Sequence, residues 1–258
     1  MELFREKIMG RKILIAVSHM GELNIDQIKA LNLGVELQDF VEPNLSLVDR
    51  NRIIGDYKVL LKDFNNIKAL HGPFLDLKPA SPDKDIREIS YKKYLYTIKA
   101  ARELDIDYLI FHSQINPYLN EPRLRKLNNM QAKEFWLKIL DEVPDYKGTI
   151  LLENIFEETP TMLGELIDTI ALPKIKINLD IGHAKLGTAS LEDWIRELGD
   201  YIEYIHIHSN DGQYDLHQSP IIEEIVDLYY LVDKYNLNPI LSLEYKIENL
   251  KEEIRKYR

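Results

Sequence analysis

Ile177-Asn178-Leu179-Asp180-Ile181-Gly182-His183, followed further on by Tyr204-Ile205-His206-Ile207-His208-Ser209-Asn210-Asp211, is the stretch from which the fold is read. Each half is a short apolar run that stops abruptly at a carboxylate or an imidazole, the way a metal site hangs on the end of a sheet. Working outward, β-branched runs of the same kind recur with longer amphipathic segments between them. They cover Lys12 to Ser18, Gly34 to Leu37, Ile67 to His71, Tyr108 to His112, Thr149 to Glu153, Ile175 to Asp180, Tyr204 to His208, and Pro239 to Glu244. This alternation implies βαβ units and a parallel sheet with helices outside it.

Eight such units in 258 residues match a closed (β/α)8 TIM barrel, an α/β fold. An open doubly wound sheet would show a glycine-rich turn after its first strand, whereas the turn after Ser18 reads His19-Met20-Gly21-Glu22. No Pro/Gly/Ser-rich linker or shift in composition divides the chain, so residues 1–258 read as a single domain. Helix starts are expected at Ser81-Pro82, Thr159-Pro160 and Ser219-Pro220, each a capping hydroxyl before a proline, and at the capping-box spacing Ser190-Leu191-Glu192-Asp193. From Pro82 to Leu104, the residues Ile86, Ile89, Tyr94, Ile98 and Ala101 fall near helical spacing and define a face for packing on the barrel. The tyrosines Tyr91, Tyr94 and Tyr96 read as barrel packing, and Lys251 to Arg258 as a solvated helix face.

The formal charge of −10 and a pI near 5.3 argue against an extended basic footprint for nucleic acid or anionic lipid. With no cysteine, thiolate metal sites and disulfides are excluded, and a metal would have to be held by His, Asp and Glu. Neither a signal peptide nor a membrane-length apolar run is present, so the expectation is a soluble, cytoplasmic protein.

In a parallel barrel the active site lies where the strands end, because the βα loops converge there. The third run ends in His71, the fourth in His112, the fifth in Glu153, and the sixth in Asp180 with His183 just beyond. The seventh ends in His208, with Asp215 and His217 in its loop, and the eighth ends in Glu244. Five of the seven histidines and four acids therefore converge on one rim. Such a cluster repels itself unless cations are bound, and nine donors exceed what one ion uses. Imidazole and carboxylate without thiolate suit Zn2+, with Mn2+ or Fe2+ also compatible, and two or three ions are the natural count.

These residues resemble the xylose isomerase-like barrels, which include endonuclease IV, the abasic-site repair enzymes, and many sugar isomerases and epimerases. The motifs are His71-Gly72-Pro73-Phe74, Phe111-His112-Ser113, Leu152-Glu153-Asn154, Leu179-Asp180-Ile181-Gly182-His183, His208-Ser209-Asn210-Asp211 with Asp215-Leu216-His217, and Leu243-Glu244. The endonuclease IV pattern implies a first metal on His71, His112 and Glu153. Glu153 would bridge to a second metal held by Asp180, His208 and Glu244, while His183, Asp215 and His217 would hold a third. The resemblance to the epimerase branch implies instead one metal on Glu153, Asp180, His208 and Glu244, the two glutamates acting as acid and base.

The residues thus support two expectations: a multi-zinc phosphoester hydrolase acting on a sugar-phosphate or abasic-site backbone, or a single-metal sugar or sugar-phosphate isomerase or epimerase. Glu153 and Glu244 are the catalytic candidates in both. Departures from the repair enzymes bear on DNA as a partner: Asn210-Asp211-Gly212-Gln213-Tyr214 is short and lacks lysine, and Gln38-Asp39-Phe40-Val41-Glu42-Pro43 carries no basic residue. His206 shares the face of His208 one pleat deeper and reads as a hydrogen-bonded core histidine rather than a ligand. Glu36, Asn154 and Asp211 are candidates for orienting ligands, and His19 for lining the pocket or serving its loop.

Overall fold

The computed structural model describes residues 10–258. Its strands are β1 (Ile13–Val17), β2 (Gly34–Leu37), β3 (Lys68–His71), β4 (Tyr108–His112), β5 (Thr149–Glu153), β6 (Ile175–Asp180), β7 (Ile202–Ile207) and β8 (Ile240–Leu243). All pair in parallel in chain order, and β8 closes on β1, giving the expected barrel. Between and after them lie the helices α1 (Ile25–Ala30), α2 (Leu47–Leu60), α3 (Lys84–Glu103), α4 (Pro122–Glu142), α5 (Thr161–Ile170), α6 (Ile181–Leu186), α7 (Leu191–Leu198), α8 (Ile222–Lys234) and α9 (Leu250–Glu253). Among the described residues, no helix is long and apolar enough to cross a membrane.

Strand alternation divides the core in two. One face of each strand packs under the helices in a large apolar cluster; the other fills the barrel, where Leu14, Ala69, Ile110, Leu151, Tyr204 and Ile240 form a separate plug. Above that plug the inward positions turn polar: Glu36, Asn178, His206 and Ser242 have no exposed surface. Burying such groups is tolerable only when they are paired, and here they are paired with one another.

The register decides which of these groups share a level. Between Ile177 and Asn178 the β6–β7 pairing shifts by one residue, so that Asn178 opposes Tyr204 and Asp180 opposes His206. Such an extra residue is a bulge. His206 therefore stands beside Asp180, one pleat below His208.

Several local expectations are corrected. The α3 cap is Asp83, whose carboxylate accepts from the Asp85 and Ile86 amides, while Ser81 only accepts from the Asp83 amide. A carboxylate nearer the helix satisfies more of the free amides at that end. Before α5, Pro160 has helical angles (φ −65°, ψ −19°) and no side chain caps the turn. Helix α8 starts at Ile222, with the Ile221 amide donating to Glu224; Ser219 instead donates to Glu253. The capping box at Ser190 and Asp193 forms as expected. On α3, Tyr91, Tyr94, Ile98 and Ala101 are buried but Ile86 and Ile89, nearer its start, are exposed. Tyr94 stacks on Phe111 at 4.2 Å, in keeping with a packing role. The Lys251 to Arg258 segment is solvated on one side only: Lys251, Glu252, Arg255 and Arg258 are exposed, while Ile254 and Tyr257 are buried and the Tyr257 hydroxyl lies 2.8 Å from that of Tyr245.

Candidate metal centre

All nine residues expected at the rim meet at the C-terminal mouth of the barrel, and Glu153 is their hub. Its Oε2 accepts from Asn178 Nδ2 (2.9 Å) and lies 3.3 Å from His71 Nε2 and 3.3 Å from His206 Nδ1. Its Oε1 lies 3.4 Å from His183 Nδ1 and 3.8 Å from His112 Nε2. Asp180 caps α6, accepting from the His183 amide at 2.7 Å, and its carboxylate also lies 3.0 Å from His208 Nε2. Asp215 Oδ2 sits between His183 Nε2 (3.1 Å) and His217 Nε2 (3.2 Å). The His208 and His217 rings stack at 3.9 Å, nearly parallel. Gly182 is required beneath them, since a Cβ there would fall 2.0 Å from the His208 ring.

Backbone carbonyls orient several of the imidazoles. The Nδ1–H groups of His71, His183 and His217 donate to the carbonyls of Gly72, Asn154 and Glu244, each at 2.9 Å. A carbonyl only accepts, so Nε2 is the free nitrogen of each ring. Each of these Nε2 atoms faces a carboxylate oxygen, a repulsive arrangement of lone pair and anion unless a cation or proton lies between them. Separations of 3.0–3.8 Å match neighbouring donors sharing one ion at bond lengths of ~2.0–2.2 Å. Three further buried atoms, His206 Nδ1, His208 Nδ1 and Glu244 Oε2, have no hydrogen-bond partner. The donors therefore fit divalent cations. Compact groups include His71, His112 and Glu153; Asp180, His208 and Glu244; and His183, His208, Asp215 and His217, while His206 joins two others, with Glu36 and Glu244 and with Glu153 and Asp180.

Charge pairing follows the same map. Burial opposes ionisation of Glu153 and Asp180, yet the surrounding imidazoles hold both well below the usual carboxylate range. Burial likewise works against Glu36, which His206 nevertheless holds at about 2. At His112 burial dominates and pushes the imidazole down to about 3. Burial is outweighed at His183 by Asp180 and Asp215, and at His206 by Glu244, Glu36 and Glu153, so both are raised. His217 is raised to about 9, the Asp215 hydrogen bond and the Glu244 charge overcoming burial.

The mouth widens on two sides. A cavity of about 980 Å³ lies over the loops after β3, β4 and β5, bordered by Phe74, His112, Tyr118 and Phe156. Phe74 stacks on His112 at 4.1 Å. Another, of about 800 Å³, lies beside β1 and β8 and is bordered by Glu22, Gln38, His217, Glu244, Lys246 and Glu248.

The sequence model of the xylose isomerase-like TIM barrel family matches residues 30–258. The chain belongs to that family. It is 27% identical to the uncharacterized protein MJ1311 of Methanocaldococcus jannaschii over 62% of this chain and 58% of that one. It is 28% identical to a protein named "Probable endonuclease 4" from Aquifex aeolicus, over 60% of this chain and 59% of that one. The chain thus spans under two thirds of the length of these two relatives. Among solved structures of the fold, the TTHB071 protein from Thermus thermophilus, soaked with ZnCl2, superposes with a TM-score of 0.75 over 95% of both chains at 20% identity. A D-tagatose 3-epimerase-like protein gives 0.71 over 95% of this chain and 94% of its own at 22% identity. A sequence relative is thus named as an endonuclease, and a protein that shares the fold is named as epimerase-like.

Within this family's barrel, some expected helpers take their places and others do not. Asn154 clasps Asp180, its Nδ2 donating to the Asp180 carbonyl and its Oδ1 accepting from the Asp180 amide, both at 2.9 Å. Asp211 instead closes its own loop through the Gln213 and Tyr214 amides. His19 is exposed, with its carbonyl accepting from the Glu22 amide. Two contributors were missed. Asn178 donates to Glu153 and accepts from the His206 amide; its place two residues before Asp180 on one strand face was the available signal. Gln38 Nε2 donates to Glu244 (2.6 Å) and Glu36 (3.2 Å), a contact across β2 and β8 with no signal in the sequence.

Proposed function

We propose that this protein is a divalent-metal-dependent hydrolase of phosphate esters, with two or three zinc ions as its working complement. The observation that carries the reading is the pair of histidine-rich groups flanking the central carboxylates. His71 and His112 lie on one side, and His183, Asp215 and His217 on the other, beyond what a one-metal site of Glu153, Asp180, His208 and Glu244 requires. Bound ions would supply charge stabilisation at a phosphoryl group and a more acidic water. Glu153, steadied by Asn178, would position or deprotonate the attacking water. Glu244, held by Gln38 at 2.6 Å, would keep its free Oε2 directed at the reacting centre. The aromatic-bordered cavity accommodates a sugar or other ring attached to the phosphate. The acidic border of the other cavity, Glu22 and Glu248 against Lys246, argues against a long nucleic-acid backbone running across it.

Protein purified without chelator should carry two or three ions per chain and hydrolyse bis(p-nitrophenyl) phosphate or a sugar phosphate, with activity lost to chelator. A reproducible single ion together with no hydrolysis sinks this reading. The alternative is a single-metal sugar or sugar-phosphate isomerase or epimerase, and one feature favours it: Glu153 and Glu244 both reach the same central position, 3.3 and 3.0 Å from His206 Nδ1, as an acid–base pair would. Deuterium incorporation next to the carbonyl of a ketose or ketose phosphate in D2O would support it; its absence disposes of it.

A further inference from the structure

We infer that Tyr118 and Phe156 bind a flat aromatic ring carried by the substrate, so that the ester is a phosphate of a nucleobase-bearing or aryl alcohol rather than of a plain sugar. The inference rests on the proposed function and narrows its substrate class. Both side chains border the cavity of about 980 Å³ that also reaches Phe74 and the buried His112. Both are left in water: Tyr118 is 90% and Phe156 68% exposed, and neither packs against the apolar core. Large aromatic surface is costly to leave uncovered, and two such rings on the rim of a cavity beside the candidate metal centre mark a surface that a ligand covers.

The loops that present the two rings are held in place. Beside Phe156, the buried Glu157 carboxylate accepts from the Ile155 amide (2.8 Å), the Phe156 amide (3.0 Å) and the Ser113 hydroxyl, tying the loop after β5 to the loop after β4. In the latter, Gln114 adopts the left-handed region (φ 58°), and its Nε2 donates to the Phe74 carbonyl at 2.9 Å. Asn116 then closes the turn that carries Tyr118: its Oδ1 accepts from the Tyr118 amide and its carbonyl from the Leu119 amide, each at 3.0 Å. A buried carboxylate and a left-handed non-glycine residue both oppose folding, and what they secure is the placement of two rings that the core does not use. Rings fixed in advance bind a flat partner with little ordering cost. The polar lining fits the same partner. Asp76 and Glu158 outnumber Lys78, so an anionic group is drawn to the metal centre and not to this side. Gln114, Asn116 and Asn120 offer amides to the edge of a ring whose faces meet Tyr118 and Phe156. The substrate would thus span the mouth, phosphate toward His112 and ring over the β4 and β5 loops.

The test titrates Zn2+-loaded wild type, Tyr118→Ala and Phe156→Ala by calorimetry with inorganic phosphate and with the non-hydrolysable phosphonate analogues of AMP, phenyl phosphate and glucose 6-phosphate. Hydrolysis of the three parent esters is assayed separately. At least one ring-bearing analogue should bind wild type ~10-fold or more tighter than the glucose analogue and inorganic phosphate, and whichever of the two binds tighter identifies the ring as nucleobase or aryl. Each alanine variant should lose ~5–10-fold in affinity for that analogue while inorganic phosphate stays within about twofold of wild type, which also shows that the variants are folded. The inference is overturned by equal affinity for ring-bearing and ring-free analogues, by no binding of the ring-bearing ones, by a preference that survives both substitutions, or by equal weakening of phosphate. Hydrolysis of glucose 6-phosphate without any preference for a ring would overturn it and leave the proposed function standing. Ring-dependent binding with hydrolysis of none of the esters would do the reverse.

Discussion

Gly182 illustrates how little room individual residues have at this mouth. It opens α6 beneath the His208 ring, and a methyl group would need to share space with three ring atoms at 2.0–2.6 Å. His208 cannot give way easily, because His217 stacks on its face. Gly182→Ala should therefore tilt His208 and cost about 1–3 kcal/mol in stability, with at least one bound ion weakened. Metal titration of the folded variant checks this; wild-type affinity would show that the ring has free space. Glu153→Gln probes the hub differently, since it keeps the shape and removes the charge facing His71, His112, His183 and His206. Loss of at least ~100-fold in hydrolysis, with reduced metal content, is expected; full activity in steady-state assays would remove Glu153 from the mechanism.

At the scale of elements, caps and register matter most. The Ser190 hydroxyl caps α7 and Asp193 returns the bond, so Ser190→Ala should cost about 1 kcal/mol. Ser219→Ala should cost less at the start of α8, because Glu224 supplies the cap there. Denaturant titration of the two variants measures the difference, and equal losses would contradict the assignment. The β6–β7 bulge has the larger functional effect. It opposes Asp180 with His206, where the unshifted register would have placed Ile205, and so puts an imidazole 3.6 Å from the Asp180 carboxylate.

For the whole molecule, the candidate ligands come from six strands or the loops after them, so metal binding should act as a clamp on the barrel. Saturation at a hundredfold excess over Kd contributes ~2.7 kcal/mol, or roughly 5–10 °C in Tm. The stripped protein should also have an unusual pH dependence. Folded-state pKa values of His183, His206 and His217 lie above the unfolded imidazole value of ~6.5. Their stabilisation is present below that value and is lost as pH rises through the folded values, about 9 for His217. His112, pushed down to about 3, acts oppositely: its contribution falls as pH drops below ~6.5. Calorimetry of chelator-treated protein should accordingly show Tm declining between pH ~6.5 and 9, with zinc restoring it. A Tm that rises across that interval would mean these imidazoles are not held as cations by the carboxylates.

The eight-unit alternation and the identities of the residues at the strand ends are legible along the chain. Both are carried by local periodicity: period 2 along a strand fixes which side chains face inward, and a parallel barrel gathers strand ends at one mouth. The sequence also suggested that Glu36 orients a histidine, though not which one. That His206 stands level with Asp180 and that Gln38 turns in to hold Glu244 follows from the folded barrel alone. These depend on the stagger between neighbouring strands and on contacts between residues as far apart as β2 and β8, which are set by barrel closure rather than by any pattern along the chain.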